Sequence, residues 1–237
     1  MIDYLIALDT DVFLWLHSHH TIYWDLVMKM ASSKLIWIPM YVALLFAYCK
    51  AYTWRNALTL VILTALAVTI ADQISASVIR PFFERMRPSN PDNPLSQFVI
   101  IVDGYRSGKY GFPSCHAANT FALVTFTSLI FKRWKYFLFI MFWALINCYS
   151  RIYLGVHYPG DIVVGMTIGA IAGGICYFLG NLVARTYHLR QFIHKEKLNR
   201  SFIAGKMVSY LPSNFVIAVG LLTIIFILIY GAVKIII

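Results

Sequence analysis

The sequence predicts an all-α protein, a polytopic bundle of about six membrane-crossing helices. Three observations predict it. Hydrophobic residues make up 60% of the 237 and charged ones only 13%. Mean hydropathy is +0.71. Several apolar runs approach the ~20 residues that a helix needs to cross a hydrocarbon core. Together these exclude an ordinary soluble domain. No basic segment, short apolar stretch and small-residue cleavage site follow Met1, so the chain is expected to insert by its own helices and stay uncleaved.

The elements follow in order. Residues 1–34 mix Phe13, Trp15, Leu16, Tyr23, Trp24 and Leu26 with Asp9, Asp11, His19 and Asp25, which suits helices lying in the interface. Spans are expected at Leu35–Cys49, Ala57–Ile79, Ala117–Phe131, Tyr136–Tyr149, Ile162–Val183 and Phe215–Val233. The first, third and fourth are short and must borrow flanking residues. Gly165, Gly169 and Gly173 recur every fourth residue, a spacing that lets two helices approach closely. Asp72 lies inside the second span, where a buried polar contact with Gln73 and Arg80 is expected to steady its surroundings. Cys49, Cys148 and Cys176 read as small core residues.

The net charge of +10 is better explained by membrane topology than by nucleic acid. Lys50, Arg55, Lys132, Arg133, Lys135 and the basic stretch from Arg185 to Lys206 fall on one face, with Glu196 as the one acid. Basic loops stay in the cytoplasm. The loop from Arg80 to His116 and the turn from Ser150 to Asp161 therefore share the outer face.

Those two segments hold the chemistry. Arg80 and Arg87 offer planar forks of donors that match phosphate oxygens, with Pro88 fixing the exit. Ser114, between Pro113 and Cys115, sits where a helix starts, so its hydroxyl and the free N–H groups point at an anion. His116 lies in the first turn of that helix. Arg151, beside Ser150, adds a third guanidinium, His157 follows, and Asp161 lies four residues on. A carboxylate there can take the Nδ1 proton and leave Nε2 as a nucleophile. Taken singly, each feature has a plain structural explanation, as snorkelling arginines or helix caps. Taken together on one face, they describe a phosphate site. No cluster has metal-ligand spacing, so no metal and no cofactor is expected.

The three motifs resemble those of the type-2 phosphatidic acid phosphatase family, whose fold is shared with vanadium haloperoxidases. The family's Lys-x6-Arg-Pro, Pro-Ser-Gly-His and Ser-Arg-x5-His-x3-Asp read here as Arg80-x6-Arg87-Pro88, Pro113-Ser114-Cys115-His116 and Ser150-Arg151-x5-His157-x3-Asp161. There are two departures: Arg80 replaces lysine and Cys115 replaces glycine. The resemblance implies a membrane lipid phosphatase in which His157 is the nucleophile, Asp161 orients it and His116 is the general acid. Arg80, Arg87, Ser114, Cys115 and Arg151 would bind the phosphate. On this reading the chain divides into interfacial helices at 1–34, a catalytic bundle at 35–184, a cytoplasmic basic linker at 185–213 and a C-terminal span at 214–237.

Arg85, Arg106 and Lys109 are expected on a substrate rim formed by the loop from Ser89 to Tyr110. Within the family the chain is most similar to Gram-negative enzymes acting on lipid A phosphates, which implies a bacterial inner membrane and a periplasmic site. Undecaprenyl diphosphate, phosphatidylglycerophosphate and phosphatidate are the alternative substrates. A non-catalytic binder of anionic lipid and a haloperoxidase are the alternative functions.

Overall fold

The computed structural model describes residues 2–186 and 211–236. The basic stretch expected in the cytoplasm lies mostly outside the described residues. The helices, in chain order, are α1 (Ile2–His17), α2 (Ile22–Ala31), α3 (Ile38–Ala51), α4 (Trp54–Gln73), α5 (Arg80–Phe83), α6 (Cys115–Phe131), α7 (Trp134–Tyr153), α8 (Pro159–Thr186) and α9 (Leu211–Ile236).

Each expected span falls on a helix. Four are long and apolar enough to cross a membrane alone, namely Trp54–Phe83, Trp134–Tyr153, Pro159–Leu182 and Leu211–Ile236. The first expected span does borrow flanking residues: α2 and the stretch Leu35–Ala51 are long and apolar enough to cross a membrane only as a pair, bent by 68°. The third remains a 17-residue apolar helix, α6. Cys148 and Cys176 are buried as expected, whereas Cys49 is exposed.

Two local devices aim the site. Between α4 and α5 the helix widens into a π-helical segment, Ile74–Ile79, which carries Arg80 at its C-terminal end. A widened turn of this kind rotates the helix beyond it. The chain leaves α5 at Glu84, which takes the left-handed conformation at φ 43°. It then folds back on itself. Arg87 N donates to Lys109 O at 3.1 Å and Gly111 N to Arg85 O at 2.9 Å, so the first motif lies beside the entry to the second.

The third motif is brought in by the glycine stripe. A Cβ at Gly165 would stand 2.4 Å from Ser114 O, at Gly169 2.1 Å from Ala118 O, and at Gly173 2.6 Å from Ala122 O. The backbones of α8 and α6 therefore touch, and Ser114 N donates to Asp161 O at 3.0 Å across the seam. Gly169→Val is expected to lower stability by about 1–3 kcal/mol or more, because the obstacle is backbone and cannot move aside. Thermal unfolding in detergent, read beside wild type, checks this.

Candidate active site

His157 lies in the turn between α7 and α8 and is 2% exposed, while Asp161 in the first turn of α8 is fully buried. His157 Nδ1 lies 3.3 Å from Asp161 Oδ2, and Arg87 Nη1 donates to Nε2 at 2.9 Å. A nitrogen that accepts carries no proton, so the proton sits on Nδ1, facing the carboxylate. Burial lowers the His157 pKa well below its ordinary value, and Arg87, Arg151 and Arg80 lower it further. The ring is therefore neutral at pH 7, with its lone pair on Nε2.

Asp161 is held from three sides. Oδ2 also accepts from Tyr158 N at 3.0 Å, and Oδ1 accepts from Arg85 Nη1 at 3.0 Å. Arg85 is in turn paired with Asp9 Oδ2 at 2.7 Å and lies 3.8 Å over the Tyr158 ring. Asp9 Oδ1 accepts from Gly160 N at 2.7 Å, which ties α1 to the same turn. The sequence places Arg85 on the substrate rim. Its guanidinium instead faces inward as a brace for Asp161, because two carboxylates and an aromatic face wait there.

Three other guanidinium groups surround His157. Arg87 Nη1 also donates to Val156 O at 2.8 Å, Arg80 Nη2 donates to Pro113 O at 3.0 Å, and Arg151 Nη1 donates to Tyr105 OH at 3.0 Å and to Ser32 Oγ. None of the three has a carboxylate partner among the described residues, and the Nε atom of each is buried without any partner. Burial and the positive neighbours Arg151 and Arg80 push Arg87 down to about 10. Buried charges are normally paired. Three like charges facing one histidine call for an anion of high charge.

Ser114 caps α6, its Oγ accepting from Ala117 N at 3.4 Å. The hydroxyl hydrogen and the first free N–H groups of α6 remain available to an anion. One turn in, His116 Nε2 lies 3.1 Å from Ser32 O. A carbonyl can only accept, so Nε2 of His116 carries a proton. Asp72 finds a different partner from those expected: Asn119 Nδ2 donates to its Oδ1 at 2.8 Å, and Gln73 accepts from Ser77 Oγ at 3.0 Å. The remaining rim candidates make loop contacts. Arg106 Nη1 donates to Ser89 O, and Lys109 Nζ lies 3.4 Å from Asp92 Oδ2.

Four residues at the site carry no motif signal. Asp9 braces Arg85, and Ser32 contacts both His116 and Arg151. Tyr105 reaches from the loop between α5 and α6 to Arg151. Gly111 backs the histidine; a Cβ there would meet Arg87 Cγ at 3.0 Å and Asp161 Oδ2 at 3.2 Å. The acid Asp9 inside an apolar run is the one hint that the sequence offers.

The arrangement is matched by a family model. Residues 56–183 fit the model described as the PAP2 superfamily. The chain belongs to the PAP2 superfamily. Among curated PAP2 relatives, the lipid A 4′-phosphatase of Bacteroides thetaiotaomicron is 40% identical, over 99% of this chain and 100% of that one. The lipid A 4′-phosphatase of Porphyromonas gingivalis is 38% identical over 74% of each chain. The crystal structure of Aquifex aeolicus LpxE shares the fold, with a TM-score of 0.54 at 23% identity, covering 71% of this chain and 94% of that one.

Against the PAP2 motifs, the two departures turn out to touch. Arg80 Nη2 donates to Cys115 Sγ at 2.8 Å, so the thiol turns toward Arg80 and helps to hold it. Residues in contact couple non-additively. Arg80→Lys and Cys115→Gly are each expected to lower kcat/KM about tenfold. The double variant should lose clearly less than the product of the two. Strict additivity in a double-mutant cycle would contradict the coupling.

Proposed function

We propose that this PAP2 protein removes a phosphate monoester from lipid A, at the 4′ position, through a phosphohistidine on His157. The observation that carries the chemistry is the set of three guanidinium groups, each with a buried unpartnered Nε, around a neutral histidine whose Nε2 is unprotonated. The likeness to the lipid A 4′-phosphatase of Bacteroides thetaiotaomicron over 99% of the chain supports the substrate.

Each residue has its own part in the reaction. Arg80, Arg87, Arg151, Ser114 and the N-terminus of α6 bind the equatorial oxygens, where positioning and electrostatics supply most of the rate. As the phosphate enters, Arg87 transfers its hydrogen bond from His157 Nε2 to a phosphoryl oxygen. The lone pair is then free to attack phosphorus and the P–O bond to the sugar breaks. An anion beside an imidazole favours the protonated ring, so with the phosphate bound His116 takes up a proton from solvent, and it passes that proton to the leaving alkoxide. His116 then takes a proton from water, which attacks the phosphohistidine and releases inorganic phosphate.

The chain is an integral membrane protein. We place it in a bacterial inner membrane with the site on the periplasmic face, supported by the basic residues that cluster at the opposite helix ends. The test is a panel of purified lipid A, undecaprenyl diphosphate and phosphatidylglycerophosphate, each incubated with the purified protein in detergent. Lipid A is expected to lose one phosphate by mass, from the 4′ position and with full activity in excess chelator. Preferred turnover of undecaprenyl diphosphate would replace the substrate, and loss of activity on chelation would replace the mechanism.

A further inference from the structure

Helix α1 lies outside residues 56–183, which match the family, yet it reaches the reacting turn. Asp9, Phe13 and His17 recur at every fourth residue, so they line one face of α1. Phe13 is fully buried, with its ring 5.3 Å from that of Tyr158. His17 Nε2 accepts from Ile100 N at 2.9 Å. These two contacts seat α1 beside the turn that holds His157, and Asp9 arrives there in a fixed register.

Asp9 uses both carboxylate oxygens. Oδ1 accepts from Gly160 N at 2.7 Å, one of the free N–H groups at the start of α8. A carboxylate there also meets the positive end of the helix dipole. The fit is close, since a Cβ at Gly160 would stand 2.8 Å from Asp9 Oδ2. Oδ2 pairs with Arg85 Nη1 at 2.7 Å, and the same Nη1 lies 3.0 Å from Asp161 Oδ1. One guanidinium nitrogen thus bridges two carboxylates. The Asp9 and Arg85 side chains are only 16% and 24% exposed, so water screens their charges poorly.

The charges decide what this bridge does. When Nε2 of His157 bonds to phosphorus, the P–O bond breaks and its electron pair leaves on the alkoxide. The ring, still protonated on Nδ1, becomes a cation. Asp161 Oδ2, 3.3 Å from Nδ1, can stabilise that charge. Arg85 alone would offset it, because a lone ion pair with Asp161 is neutral. Asp9 neutralises Arg85, and the three groups together keep one negative charge beside the ring. We propose that Asp9 is a positioning residue for phosphoryl transfer: it holds Arg85 and the start of α8, and it leaves the charge of Asp161 to the His157 ring as that ring becomes cationic. The effect belongs to the transition state, since the neutral ring of the resting site has no such charge to stabilise.

This inference rests on the phosphatase reading, and the experiment separates the two. Asp9→Asn removes the charge but keeps the shape, and its amide oxygen can still accept from Gly160 N. Inorganic phosphate release is measured for wild type, Asp9→Asn, Arg85→Gln and the double variant, beside thermal unfolding. The substrate is the lipid of the panel above that wild type turns over. Asp9→Asn is expected to lower kcat about tenfold, a fraction of the loss when a group touching the reacting atoms is removed, and to change KM less than about twofold. Unfolding should match wild type. In the Arg85→Gln background Asp9→Asn should cost less than about twofold, because Asp9 then has no cation to neutralise. A wild-type kcat in Asp9→Asn overturns the inference and leaves the phosphatase reading standing. So does a rise in KM at unchanged kcat, or an equal loss of kcat with and without Arg85, which would make Asp9 a brace for the fold alone. Phosphate release from no lipid of the panel overturns the phosphatase reading and this inference with it.

Discussion

His157→Asn is expected to abolish turnover, with a loss on the order of 10⁴-fold or more in kcat, the scale seen when a catalytic nucleophile is removed. The side chain sits under Arg87, Arg80 and Arg151 with its lone pair on Nε2, and no other unprotonated nitrogen among the described residues has that setting. Asparagine keeps polarity and most of the volume, so folding should survive and unfolding curves should match wild type. Substrate should still bind, because the three arginines and Ser114 remain. Retained lipid binding beside lost phosphate release is therefore the expected pattern. A variant that still releases phosphate at near-normal rate would remove His157 from the reaction.

Asp161→Asn is expected to lower kcat by about 10²- to 10⁴-fold while changing KM less than about threefold. The range comes from what losing an orienting carboxylate costs in hydrolases that share this logic. Oδ2 faces the Nδ1 proton of His157, and an amide there can present its NH₂ instead, favouring the tautomer with the proton on Nε2. Oδ1 accepts from Arg85, which retains Asp9 as a second partner, so the brace is weakened but not left without a carboxylate. Because Asp161 does not face the phosphate directly, ground-state binding is largely spared. Steady-state kinetics on detergent-solubilised lipid decide the matter. A rise in KM with kcat intact would make Asp161 a substrate-binding group rather than a positioning one.

The reacting core is legible in the sequence because its signals are local. His157 and Asp161 are four apart, Ser114 and His116 bracket one helix start, and Arg80 and Arg87 flank one turn; fixed spacings of that kind survive folding. The Gly165, Gly169 and Gly173 stripe is legible for the same reason, and it accounts for how the second and third motifs meet. Spacing does not give direction or long-range partnership. Arg85 lies in the same loop as Arg87, yet its guanidinium faces a carboxylate 76 positions away. Proximity in sequence pairs Asp72 with Gln73, and folding separates them. Neighbouring residues on a helix diverge by about 100°, so Gln73 turns outward while Asp72 turns toward α6. The N-terminal helices show in the sequence only as an interfacial mix of aromatic and acidic residues. Their contribution through Asp9 and Ser32 depends on contacts with residues more than seventy positions distant.

The most direct measurement is capture of the covalent intermediate. Protein is mixed with lipid substrate carrying a radiolabelled phosphate, quenched in alkali within one turnover, and digested for mass spectrometry. Label is expected on the peptide containing His157, stable in alkali and lost in acid, and absent from His157→Asn. Phosphate release without label on His157, or label on Ser114 or Cys115 instead, would contradict a phosphohistidine mechanism.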